Sequence, residues 1–171
     1  MIDNRYTQEG EECILSLYFD AIGFGFVLMK NPLEVIEKGM MCISSIDNTV
    51  VLQKVKHLIR KLKPEHIVIE NHSGNFSHKP ERVIKAIKAI KKYSKQKGFL
   101  LSSNSREQIR LIFSNWHAKI RYEIAEVISK NVEAFTNLMF DKPKYPKTAH
   151  FRSAQFAAAS LGITIMQCKK I

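Results

Sequence analysis

The run His66–Glu70, HIVIE, follows a proline at Pro64 and sets three β-branched residues between two ionisable ones. A short, mostly apolar run of this kind suits a strand buried on both faces, as in the parallel part of a sheet. Upstream of it, Val51, Leu52, Val55, Leu58, Ile59 and Leu62 recur at helical spacing behind a cap at Asp47 or Asn48, which predicts a helix from Thr49 to Lys63. Strand after helix at this spacing implies a parallel crossover to an earlier strand.

Candidates for that strand lie further upstream. Cys13–Phe19, Gly23–Met29 and Gly39–Ile43 are β-prone runs separated by turn residues, including Asn31 and Pro32, and they read as an antiparallel meander. Downstream, a helix over Pro80–Lys97 puts Val83, Ile84, Ile87 and Ile90 on one face, and Phe99–Leu101 reads as a strand after the Gly98 stop. Ser105 and Gln108 form a capping box opening a helix that ends near Phe113. A further helix is expected over Lys119–Leu138, then a Pro- and Lys-rich loop over Asp141–Lys147, then an Ala-rich last helix over Ser153–Leu161. The fold class expected is α/β: a mixed five-stranded sheet, three strands antiparallel and then parallel ones, flanked by helices.

The 171 residues, 45% hydrophobic and 25% charged, suffice for one domain over 1–171 with its own core, and flexibility is expected at 1–12 and 167–171. Lys and Arg exceed Asp and Glu by 27 to 16, a formal charge of +11, and such an excess seeks a polyanion, of which the phosphate backbone is the common case. The other reading of the lysines is solubility alone. Cys13, Cys42 and Cys168 are scattered and form no paired motif, which fits a reducing cytoplasm better than a disulfide framework or a zinc knuckle. No apolar run approaches the roughly 18 residues of a membrane span, and no P-loop, dinucleotide-binding glycine pattern or G-x-S-x-G elbow is present.

Phosphodiester chemistry with hard divalent ions needs clustered carboxylates, since two ions about 3.5–4 Å apart can steady the attacking and leaving oxygens. Glu70, at the end of the HIVIE strand, is the first candidate. The segments ILSLYFDAIGFGFVLM, PEHIVIEN, PERVIKAIKAIKK, NSREQIRLIF and HAKIRYEIAEVI together resemble those of the RuvC-like, Holliday junction resolvase-type branch of the RNase H-like superfamily, over nearly the whole chain. The resemblance implies an RNase H-like fold and a nuclease that uses Mg or Mn. It also implies an acid on the first strand shortly before a G-F-G motif, a Glu ending the fourth strand, and acids or a His at the final helix.

Glu70 matches the second position. At the first, the family spacing lands on Tyr18, with Asp20 two residues later: Asp20 could substitute if the strand continues that far, or it is a turn residue leading into GFGF. At the last helix Ala154 or Ala157 stands where an Asp is implied, leaving His150 as the candidate ligand or an incidental loop residue. The catalytic and metal set implied is therefore Asp20, Glu70 and His150, with degenerate positions.

Arg82, Lys85, Lys88, Lys92 and Lys95 form a basic stripe at three- and four-residue steps, suited to tracking phosphates or simply to solvation. Arg106, Arg110, Lys119 and Arg121 lie in segments that the resemblance places near the substrate. Phe76, in the loop after Glu70, could stack on an unpaired base or anchor the loop. Phe113, Trp116 and Tyr122 read as core or dimer contacts. The function expected is a RuvC-like protein binding branched or duplex DNA, or RNA, and weakened or inactive as a nuclease. The alternatives are an active endonuclease and a protein-binding scaffold, and a second copy of the chain is a candidate partner.

Overall fold

The computed structural model describes residues 12–43, 47–73, 78–144 and 150–168. Strands β1 (Ile14–Phe19), β2 (Gly23–Met29), β3 (Val35–Cys42), β4 (His66–Glu70) and β5 (Leu100–Asn104) form one sheet in the order β3-β2-β1-β4-β5. The first three pair antiparallel, and β4 pairs parallel with both β1 and β5. This is the mixed, RNase H-like sheet that the sequence implies. The helices are α1 (Asn48–Leu62), α2 (Glu81–Gln96), α3 (Arg106–Phe113), α4 (Arg121–Asn131) and α5 (Ser153–Cys168). Among the described residues, no helix is long and apolar enough to cross a membrane.

Side-chain alternation along buried strands divides the core into two layers. Leu15, Leu17 and Phe19 of β1 point to one face, where Val55, Leu58 and Ile59 of α1 and Val83, Ile87 and Ile90 of α2 cover them. Ile14 and Tyr18 point to the other, against Phe113 of α3, Ile124 and Ile128 of α4 and Phe156 and Ile163 of α5. β1, β2 and β4 are buried along their whole length, as expected of strands covered on both faces.

Four boundaries differ from the sequence expectation by three residues or more. β3 begins at Val35, four residues before Gly39, because an edge strand tolerates the polar pair Glu37 and Lys38 that interrupts its apolar run. β5 continues through Ser102, Ser103 and Asn104, which pair in register with Val68, Ile69 and Glu70. The helix expected to Leu138 stops at Asn131, whose side-chain amide donates to the Val127 carbonyl at 2.7 Å, and a short 3-10 turn over Glu133–Leu138 then buries Phe135 against Phe156. α5 runs on to Cys168 through the β-branched Ile163, Thr164 and Ile165, because tertiary burial outweighs their weak helix propensity.

The G-F-G motif has a steric cause. Gly23 closes the hairpin at φ 151°, a conformation that side chains disfavour. Gly25 lets α5 cross directly over β2, since a Cβ there would collide with the backbone of Ala154 and Gln155. Gly25→Ala is accordingly expected to lower the unfolding free energy by roughly 1–3 kcal/mol, because the clash is with backbone rather than a yielding side chain. Urea denaturation checks this, and an unchanged midpoint would contradict the close approach.

Candidate nucleic-acid interface

Glu70 is the last residue of β4, and its side chain is 3% exposed. Its place is held from both sides: the Asn71 amide donates to the Asn104 carbonyl at 2.8 Å, continuing the β4–β5 ladder, and the buried Asn104 side chain donates to the Leu161 carbonyl of α5 at 3.1 Å. Because β1 and β4 are parallel with Leu17 opposite Ile69, the next step brings Tyr18 beside Glu70 on the same face. Tyr18 thus stands at the first-strand position, its ring buried.

Asp20 lies beyond the end of β1. Its Oδ1 accepts from the amides of Ile22 at 2.9 Å and Gly23 at 3.1 Å, closing the β1–β2 turn. His150 stacks on Phe140 with ring centroids 4.8 Å apart, and its Nδ1 accepts from the Arg152 amide at 3.2 Å. Of the two alanines on α5, Ala154 is buried over Gly25, and Ala157 lines a cleft beside Glu70.

That cleft encloses about 620 Å³ between β1, β4, α3, α4 and α5. Its floor is apolar and aromatic, with Tyr18, Ile109, Ile124 and Phe156, and Tyr122 and Phe140 meet edge-on in its wall at 6.0 Å. Among the described residues lining it, Arg106, Arg110, Lys119, Arg121, Lys142 and Lys144 are cationic and Glu70 supplies the carboxylate. Two caps place the rim. The Ser105 capping box, with Ser105 accepting from Gln108 N at 3.2 Å and Gln108 Oε1 accepting from Ser105 N at 2.7 Å, starts α3 at Arg106. Glu123 accepts from the amides of Lys119 at 2.8 Å and Ile120 at 3.2 Å, fixing the start of α4.

The sequence reading missed Lys79, which lies between the strand end and α2 in a segment without periodicity. Its Nζ is 2.7 Å from Glu70 Oε2, and its side chain is 8% exposed. The same ammonium donates to the Phe19 carbonyl and lies 4.0 Å from the centre of the Tyr18 ring. Burial holds the Lys79 pKa below the ordinary lysine value, and the Glu70 carboxylate pulls it upward. Arg106 Nε is 3.8 Å from Glu70 Oε1, and the Arg121 guanidinium lies 4.9 Å from the Tyr18 ring centre.

A divalent ion requires several oxygen ligands around one point. Here an ammonium sits on one Glu70 oxygen, a phenol ring faces the centre from β1, and α5 presents Ala157. Among the described residues, no group of three or more His, Cys, Asp and Glu is arranged to hold a metal. The residues present do not fit such an ion.

Arg82, Lys85, Lys88, Lys92 and Lys95 are all exposed on α2, whose opposite face is buried, and Lys85 pairs with Glu81 at 2.9 Å. They belong to the α1/α2 layer, across the sheet from the cleft. Phe76 lies outside the described residues. Phe113 is core, with Trp116 packed on it at 5.6 Å, and Tyr122 reaches the cleft.

His72, just beyond Glu70, is within electrostatic reach of Lys88 and Lys91 of α2 and of Glu70 and Lys79. Partial burial, followed by the charges of Lys91 and Lys88, lowers its pKa below the usual 6.5. Between the folded value and 6.5 the unfolded chain binds more protons. The stability His72 contributes is therefore complete above 6.5 and is lost as pH falls through the folded value. His72→Gln is expected to flatten the acid-side slope of unfolding free energy against pH, and an unaltered slope would remove His72 as its source.

No protein-family model matches the sequence, and no curated protein does. Solved structures do match. Thermus thermophilus RuvC superposes with a TM-score of 0.63 at 12% identity, over 92% of this chain and 96% of that one. The yeast mitochondrial Holliday junction resolvase gives 0.58 at 13% identity, over 94% and 82%. The Fowlpox virus resolvase, in complex with substrate Holliday junction DNA, gives 0.55 at 13%, over 92% and 98%. The meander, the crossover through α1, the parallel β4 and β5 and the helix laid across β2 together are the RNase H-like fold in the form found in RuvC and other Holliday junction resolvases.

Proposed function

We propose that the chain, acting as one RuvC-like domain, binds branched or duplex DNA and is weakened or inactive as a nuclease. The observation that carries this reading is the cleft itself: six cations line its described walls, and its central carboxylate is already paired with a lysine. Phosphate contacts and metal chemistry rest on different residues, so a domain can lose the second and keep the first. The likeness to resolvases solved with junction DNA supports the choice of substrate.

In this reading Arg106, Arg110, Lys119 and Arg121 grip the backbone at the cleft. A second arm of a branched molecule passes His72 and lies along Arg82, Lys85, Lys88, Lys92 and Lys95 of α2. Asp20 and His150 hold the turn and the entry to α5 rather than an ion. Gel retardation of a four-way junction, a duplex and an RNA–DNA hybrid, with Mg²⁺ or Mn²⁺ present, tests the reading. Retarded, uncut junction is the expected result. Cleavage abolished by Glu70→Gln would establish instead the endonuclease using Asp20, Glu70 and His150, and no retardation of any substrate at low salt would point to a protein scaffold. Lys88→Glu with Lys92→Glu is expected to weaken junction binding more than binding of a short duplex, and equal losses would remove the second arm from α2.

A further inference from the structure

We infer that Lys79 is a built-in counter-ion for Glu70, which closes the carboxylate centre to divalent cations and makes DNA binding at the cleft independent of them. The DNA half of this inference rests on the function proposed above, and the cation half does not.

The ammonium lies between the ends of β1 and β4, on one of the two oxygens of the carboxylate that a dication would need as a ligand. Three electron-rich groups converge on it: Glu70 Oε2 at 2.7 Å, the Phe19 carbonyl, and the face of Tyr18 at 4.0 Å. Two of these would be oxygen ligands for a metal. The third is a π face, which attracts an ammonium and offers a hard dication no oxygen. The nearest further carboxylate on β1's side, Asp20, is turned to the amides of Ile22 and Gly23.

Displacing the lysine would expose the entering ion to Arg106, 3.8 Å from the other Glu70 oxygen. The ammonium is also tethered at a rigid point. Lys79 precedes Pro80, the N-cap of α2, whose carbonyl accepts from the amides of Val83 and Ile84. A residue before proline has restricted backbone freedom, so less backbone disorder is lost in fixing the point from which the side chain extends.

The charge consequence follows directly. Glu70 and Lys79 cancel, so a phosphate entering the cleft meets Arg106, Arg110, Lys119 and Arg121 without repulsion from an unmatched carboxylate. In a chain without Lys79 that repulsion would return, and an added dication would relieve it.

Two measurements on the full chain test this. In the first, Mn²⁺ is titrated without DNA and free Mn²⁺ is followed by electron paramagnetic resonance. The wild type is expected to show no site tighter than about 1 mM, the weak end of protein dication sites. Lys79→Met is expected to gain a site at least tenfold tighter, and Lys79→Met with Glu70→Gln to lose it again. In the second, junction affinity is compared in EDTA and in Mn²⁺ at matched ionic strength. The wild type should bind equally in both, Lys79→Met should bind at least tenfold more weakly in EDTA and recover in Mn²⁺, and the double variant should behave as the wild type.

Circular dichroism confirms that each variant is folded. If Lys79→Met alone is not, Lys79→Gln, whose neutral amide can still donate to Glu70, takes its place in both measurements with the same expected results. Stoichiometric Mn²⁺ uptake by the wild type, or tighter wild-type junction binding with Mn²⁺ than with EDTA, overturns the inference. So does a folded Lys79→Met chain that shows no divalent effect. Failure of every chain to bind nucleic acid would overturn the proposed function and the DNA half of the inference, leaving the Mn²⁺ titration to judge the cation half.

Discussion

Lys79→Met is expected to cost about 3–5 kcal/mol of unfolding free energy, as does removal of one partner from other buried ion pairs. The reason is the solvation of what remains: Glu70 is 3% exposed, so its carboxylate cannot return to water when its partner is removed. The desolvation already incurred by both charges means that the pair itself adds little net stability. Lys79→Met combined with Glu70→Leu should therefore recover most of the loss, although it removes more polar contacts than either single change. Urea unfolding of the single and double variants measures this. Additive losses in the double variant would show that the two side chains are not energetically one unit.

The second large effect concerns salt. If the six cations of the cleft each neutralise one phosphate, raising salt from 50 to 200 mM should weaken binding of a short duplex by about 10³-fold, from a slope of about 0.9 per phosphate. Arg110→Glu with Lys119→Glu removes two of these contacts. The same change of salt should then cost about 10²-fold, and affinity at low salt should fall as well. Band shifts across a salt series give both slopes. A variant slope equal to that of the wild type would mean that Arg110 and Lys119 face solvent and no phosphate.

The fold was legible because its decisive signals are local. HIVIE, flanked by Pro64, reads as a doubly covered strand from composition, and the apolar stripes of α1 and α2 read from spacing. Boundaries failed where a tertiary neighbour decides the conformation. Ser102, Ser103 and Asn104 look like a loop until β4 is laid beside them, and the β-branched end of α5 looks like a poor helix until the sheet buries it.

The candidate site was half legible. Glu70 could be located because a strand end has an address in the sequence. The choice between Tyr18 and Asp20 depends on where β1 stops, and the turn that Asp20 closes ends the strand at Phe19. Lys79 had no such address. Its partner is nine residues away across an aperiodic loop, and one lysine among many carries no mark of being the buried one. In the sequence Lys142 and Lys144 read only as loop lysines, because their approach to the cleft is set by the packing of Phe140 against Phe156. The glycines of GFGF read in the sequence only as a motif, and the physical cause of Gly25, the passage of α5 over it, is visible only in three dimensions.

Hydrogen exchange of the chain with and without a four-way junction, in EDTA, examines the central claim most directly. The account predicts slowed exchange at the first turn of α3, at Lys119–Tyr122 and at the end of β4, all in the absence of any divalent ion. Protection confined to α2, or protection at the cleft that develops only when Mn²⁺ replaces EDTA, would contradict it.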